Sequence, residues 1–187
     1  RHWCLATRMA REKEGSRGRK MEPTELGSSL FRDGGWDPYI EDDATAWLLH
    51  WNLASYGTRA ATWYWAFNRF RDNIFTRVSL VDALRASLKE LGWDDTSEMT
   101  LKRDVDCFMH TYVDRGSEDL AYDAIDCPLA ALGLIVKEPH GDRYRFVVGP
   151  KGSLPAEVFA CSLADFWNNA LPERRTLELR QVVQAEG

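Results

Sequence analysis

The chain has 187 residues, 44% of them apolar and 28% charged, with a formal net charge of −5 at neutral pH. That apolar share suits one large or two small folded domains and excludes an intrinsically disordered chain. No apolar run reaches the roughly 18 residues of a membrane span. Residues 1–20 carry charges where a signal peptide would be apolar, so a cytoplasmic protein away from membranes is expected.

The charge is unevenly placed. Residues 1–20 hold seven Arg or Lys against two Glu, so a basic end sits on an acidic remainder. Binding to nucleic acid must therefore come from a local patch. Cys4, Cys107, Cys127 and Cys161 form no CxxC pair, which fits reduced thiols in the cytosol better than a zinc ribbon.

In chain order, residues 1–10 read as the end of a helix. The chain starts at Arg1 rather than Met and these residues look mid-helical, so a missing N-terminal portion is expected. Residues 12–20, with Gly15, Ser16 and Gly18, read as a flexible, basic hairpin tip. Residues 23–31 read as a short helix packing back. Helix, basic hairpin and short helix form the back half of a winged-helix module, set at residues 1–34.

Residues 35–75 read as a Trp-rich helical hairpin, the centre of the fold. Gly34, Gly35 and Pro38 keep the chain irregular before it. Asp42 or Asp43 caps its first helix, whose apolar face carries Trp47, Leu48 and Trp51. Trp63 and Trp65 belong to its second helix, and the Trp side chains, Trp36 included, are expected in the core.

Residues 76–152 read as a second winged-helix-like module. Ser79 is expected to cap a helix with Leu80, Val81, Leu84, Leu88 and Leu91 inward, stopped by Gly92. A turn at 93–96 leads to Ser97 or Thr100 as the next cap. Leu101, Val105, Phe108, Met109 and Tyr112 follow at helical spacing, with Lys102 and Arg103 off that stripe. Residues 114–126 read as an acidic loop, and Pro128 opens a short helix ended by Gly133. Strands at 134–137 and 143–148 flank a turn, with Tyr144, Phe146 and Val148 on one face and Arg143 and Arg145 on the other. Residues 153–187 supply C-terminal helices, at 155–169 with Phe159, Leu163 and Phe166 inward, and at 173–184. The expected class is mainly α with small β-hairpins: winged-helix-like modules around the Trp-rich hairpin.

A recognition helix needs cations near its N-terminal turns, where phosphates and base edges lie. The second module offers Lys102, Arg103, Arg143 and Arg145, with Lys151 just after. The first offers Arg8, Arg11, Arg17, Arg19 and Lys20. The competing reading makes these solvated faces of an interaction domain. Phosphodiester hydrolysis is a second chemistry, because Mg²⁺ takes hard carboxylate oxygens. Asp37, Glu41 and Asp42 are close enough in sequence to converge, with Asp43 beside them and His50 two turns on. Capping and the helix dipole account for the same acids. Cys107 and His110 share a helix face, with Cys127 able to lie nearby, but a buried thiol is the simpler account of Cys107.

Several rare clusters occur in order: Gly35-Trp36-Asp37-Pro38-Tyr39-Ile40-Glu41-Asp42, Trp47-Leu48-Leu49-His50-Trp51, Thr62-Trp63-Tyr64-Trp65, Arg103-Asp104-Val105 and Asp126-Cys127-Pro128-Leu129. Together with Pro23-Thr24-Glu25-Leu26-Gly27 they resemble the SspB-like proteins of bacterial DNA phosphorothioation gene clusters. Asp43 stands where that family commonly has Pro, and His110 is not a family feature. The resemblance implies a DNA-nicking component of a system that replaces a backbone oxygen of double-stranded DNA by sulfur in phage defence. Implied partners are a cysteine desulfurase, an ATPase and a sulfur transferase. It assigns no catalytic residues, so Asp37, Glu41 and Asp42 remain the residue-level candidates. The alternative is a non-enzymatic winged-helix adaptor or transcriptional regulator.

Overall fold

The computed structural model describes residues 1–92, 96–114 and 127–183, without the side chains of residues 89, 91, 181 and 183. The turn expected at 93–96 and the acidic loop at 114–126 lie almost wholly outside the described residues. About half of the chain is helical, and the described strands make two small antiparallel sheets. The chain divides into two compact units, residues 1–60 with 151–187, and residues 61–150. The two Trp-rich helices fall one in each unit.

The first unit opens with α1 (His2–Ala6), followed by the strands β1 (Ala10–Glu12) and β2 (Met21–Pro23). The strands pair antiparallel, Arg11 opposite Glu22, so residues 13–20 form the hairpin tip. Helix α2 (Glu25–Phe31) starts at Thr24, whose hydroxyl accepts the Gly27 N–H at 3.0 Å. Gly27 is needed there because a Cβ would fall on the Met9 carbonyl oxygen. Helix α3 (Asp43–Ser55) is capped by Asp42, which accepts the Ala44 N–H at 2.8 Å. Helix α7 (Ala156–Ala170) returns against α3, and α8 (Leu179–Val183) is short. Trp47 donates to Ser153 at 3.2 Å and Trp51 to Asp165 at 2.9 Å, so two indoles tie α3 to the returning segment.

The second unit runs α4 (Ala61–Asn68), β3 (Ile74–Thr76), α5 (Arg77–Leu91), α6 (Glu98–Tyr112), a 3₁₀ turn (Pro128–Leu132), β4 (Ile135–Lys137) and β5 (Arg143–Phe146). The sheet order is β3-β5-β4, both pairs antiparallel. The inner stripe of α6 (Leu101, Val105, Phe108, Met109, Tyr112) is buried as its spacing requires. Phe67 meets Phe108, Tyr112 and Phe146 edge-on at centroid separations of 5.7, 5.0 and 5.7 Å. This aromatic core joins α4, α6 and the sheet, and such pairs add to simple burial. Gly133 ends the 3₁₀ turn at φ 59°, a left-handed conformation glycine adopts without strain.

Four local expectations change. Trp36 is 75% exposed, because the residues around it are not helical and helical spacing did not apply. Phe159 is 51% exposed on α7, while Leu163 and Phe166 are half-buried. Val148 is exposed because β5 ends at Phe146. Helix α5 begins before Ser79. Thr76 and Ser79 bond reciprocally, each hydroxyl accepting the other's backbone N–H at 2.9 and 3.1 Å, so Thr76 is the cap.

Candidate nucleic-acid interface

Ser97 caps α6, its hydroxyl accepting the Thr100 N–H at 3.2 Å. The buried stripe leaves Lys102, Arg103 and Asp106 on the outer face. Lys102 pairs with Glu98 at 2.7 Å, one turn back. Arg85 of α5 reaches Glu98 at 3.3 Å and Asp82 at 3.2 Å. The Lys102 hydrogen bond, then the charge of Arg85, hold the Glu98 carboxyl below the usual range. Arg103 is exposed and has no acidic partner among the described residues.

The β-hairpin repeats this contrast. Arg145 donates to Glu138 at 2.9 Å, whereas Arg143 is exposed without an acidic partner among the described residues. Arg143 lies opposite Thr76 in the ladder. The next residue, Arg77, donates to Asp106 of α6 at 2.7 Å, and its guanidinium lies 5.7 Å from the Tyr144 ring centroid. One chain of contacts thus links β5, the start of α5 and the outer face of α6, with Arg103 one helical turn from Asp106. Neither Arg77 nor Tyr144 was legible as part of this surface, since their positions follow from strand register.

In the first unit, Arg17, Arg19 and Lys20 are exposed at the hairpin tip. Arg11 pairs across the strands with Glu22 at 2.8 Å. Arg8 lies over the Tyr56 ring, 4.2 Å from its centroid. Lys151 is half-buried where the chain re-joins this unit. The Arg11 and Lys102 pairs are solvent-exposed, a class worth about 0–1 kcal/mol each, so a phosphate can displace them, whereas the Arg145 pair is partly buried.

The acidic junction is built differently. Asp37 is only 8% exposed. Its Oδ1 accepts the Glu41 N–H at 2.9 Å and its Oδ2 the Asp42 N–H at 3.0 Å. The Glu41 bond, then one from Thr45, hold its carboxyl below the usual range. Asp42 is occupied as the α3 cap. Glu41 and Asp43 are exposed and line an open cleft with Trp36 and residues 152–155. Among the described residues no three His, Cys, Asp or Glu side chains gather as metal ligands. His50 stands edge-on to Trp47 at 5.6 Å, and desolvation lowers its pKa to about 3. Burial raises the thiols of both Cys107 and Cys127, as expected of side chains kept protonated.

A network that sequence reasoning missed surrounds Tyr56. Its hydroxyl donates to Asp165 Oδ2 at 2.7 Å, the oxygen that also accepts Trp51 Nε1. Asn169 donates to Asp165 Oδ1 and to the Tyr56 oxygen, both at 3.0 Å. Nothing in the spacing pairs residues more than a hundred positions apart.

The fold is that of a mixed α/β protein in which the exposed Arg103 and Arg143 lie on a helix and a β-hairpin. A family model described as "Protein of unknown function (DUF4007)" matches residues 1–187, and the chain belongs to that family. Two solved structures are similar to it. An SspB crystal structure has 29% identity over 90% of this chain and 52% of its own, at a TM-score of 0.79. A magnesium ion-bound SspB crystal structure has 28% identity over all of this chain and 57% of its own, at a TM-score of 0.85. The SspB-like relationship expected from the motifs is thereby supported, and the chain spans little more than half the length of the SspB chains it matches. Comparison with curated proteins gives no match. No described helix is long and apolar enough to cross a membrane.

Proposed function

We propose that this chain is a DNA-binding part of an SspB-type phosphorothioate modification and phage-defence system, with residues 61–150 as a winged-helix-like module. In this reading α6 is the recognition helix and β4 with β5 the wing. The order helix, strand, helix, helix, two strands supports it, with the first strand adding to the edge of β5. The observation that carries it is the contact chain from Arg143 through Thr76 and Arg77 to Asp106, which brings the outer face of α6 to the wing. Arg103 and Arg143 are the leading phosphate contacts. Lys102, Arg145 and Lys151 are secondary, and Arg8, Arg11, Arg17, Arg19 and Lys20 form a separate set in the first unit. Double-stranded DNA is the ligand. A cysteine desulfurase, an ATPase and a sulfur transferase are the partners such a system requires.

The test is fluorescence anisotropy on a short duplex across a salt series. Arg103→Ala and Arg143→Ala should each weaken binding several-fold whatever the sequence and lower the salt slope by about 0.9 per lost phosphate contact. Unchanged affinity and slope in both variants would remove this face from DNA binding.

Strand nicking is the activity to test next, and Asp37, Glu41 and Asp42 are the acids to test it with. Glu41 faces the open cleft, while Asp37 and Asp42 hold the loop that presents it. Both oxygens of Asp37 already bind backbone N–H groups, so Asp37 is engaged in holding the loop and does not fit the role of a Mg²⁺ ligand. A folded Glu41→Ala protein that relaxes supercoiled plasmid at the wild-type rate would clear the cleft of any part in cutting. The second reading, a non-enzymatic adaptor or regulator, draws on the acid pairing of Lys102, Arg145 and Arg11. Plasmid relaxation by the full-length protein separates the two.

A further inference from the structure

The first unit holds a pocket whose walls include Arg8, Arg11, Arg59, Glu12, Tyr56 and Thr58. We propose that this pocket binds the terminal phosphate of a nucleic-acid strand, a phosphate monoester, rather than a phosphate within continuous backbone. It deepens the proposed function, resting on nucleic acid as the ligand, but it does not depend on α6 or the wing.

One wall is pre-organised. The Arg8 guanidinium stacks on Tyr56 at 4.2 Å, which fixes the plane of its donors. Tyr56 is itself held by its bond to Asp165, and Asp165 by Trp51 and Asn169. That carboxylate is satisfied by three donors, so it holds the stack in place. The Arg8 backbone sits at φ 60°, a conformation non-glycine residues rarely adopt, and its carbonyl accepts the Thr24 hydroxyl at 2.8 Å. Arg8 is therefore aimed at the pocket by bonds on both its backbone and its side chain.

The flanking cations are available. Arg59 pairs with Glu12 at 3.2 Å and Arg11 with Glu22 at 2.8 Å, and all four side chains are a third or more exposed. Such pairs are weak, whereas a guanidinium on a phosphate forms two parallel, charge-assisted bonds. Glu12 is the one acid among the pocket walls, and it opposes an anion there. Shape separates monoester from diester. A diester leaves the strand running in and out of its site, which needs a through-groove. A monoester ends the strand, presents three free oxygens and carries up to two negative charges, which suits a concave site ringed by guanidiniums.

The experiment uses the whole chain and labelled duplexes that differ at one nick, bearing either a 5′-phosphate or a 5′-hydroxyl. The phosphorylated nick should bind at least tenfold more tightly than the hydroxyl nick or the uncut duplex. Arg8→Ala should abolish that difference between the two nicks. Arg59→Ala, at a more exposed position, should reduce it and serves as the second variant if Arg8→Ala unfolds. Glu12→Gln should widen the difference, a gain that a merely structural role for Glu12 would not produce. Equal binding of the two nicks overturns the proposal and leaves DNA binding standing if the uncut duplex still binds. Deoxythymidine 5′-monophosphate binding more tightly than the phosphorylated nick overturns the strand end in favour of a free nucleotide. Failure to bind any duplex overturns the proposed function as well.

Discussion

Asp37 accepts two backbone N–H groups, and Ile40, just before those donors, sits at φ 58°. A β-branched side chain avoids that conformation, so the Asp37 clamp holds a strained turn just before α3. Asp37→Ala should lower the melting temperature by several degrees and loosen hydrogen exchange at Glu41 and Asp42, read by calorimetry and NMR. Because folding lowers the Asp37 pKa, its contribution is complete above its ordinary 3.8 and is lost as the pH falls below that value. His50 acts in a higher window. Unfolded, its imidazole takes a proton near pH 6.5; folded, only near 3. Between those values the unfolded chain binds the extra proton, so stability is full above about 6.5 and declines toward 3. At pH 5 the loss from this group is roughly 1–2 kcal/mol. Melting temperatures from pH 7 to 5 should fall for the wild type and stay nearly level for His50→Gln. The acid capping of α3 was legible because Asp before a helix is a local signal. The buried use of Asp37 was partly so, since a turn before Pro38 was readable but the aim of its carboxylate was not.

At the scale of elements, α6 was the most legible part of the chain. Its stripe is set by helical geometry alone, and Phe108 at its middle is fully buried against Trp63, Phe67 and Tyr112. Phe108→Ala should destabilise residues 61–150 by about 3–5 kcal/mol, seen as a lower urea midpoint. Helix α7 shows the limit of the same logic. Periodicity finds its apolar stripe but cannot say how far a neighbour covers it, so Phe159 is exposed while Val158 is buried. The second strand of the wing was placed because its residues alternate. Strand β3 was missed because three residues carry too little pattern. Of the candidate site, the cations were visible as residue types. Their sorting into acid-paired Lys102 and Arg145, and Arg103 and Arg143 with no acidic partner among the described residues, depended on contacts that spacing does not encode.

For the whole molecule, the DNA reading and the division into units can be tested together. A polypeptide of residues 61–150 should melt in one cooperative transition by circular dichroism and keep duplex binding that Arg103→Ala weakens. Residues 1–60 alone should not fold cooperatively, since the tryptophans of α3 would lose Ser153 and Asp165. Both outcomes follow from the described cores, one closed within a continuous stretch and the other assembled from two.

That discontinuity also sets an order of events at the ribosome. All of residues 61–150 have been synthesised before the first residue of α7 is translated, while α3 must wait for α7 to reach it. During that interval Trp47 and Trp51 lack their later partners, the moment at which a nascent chain of this kind is most open to chaperone capture.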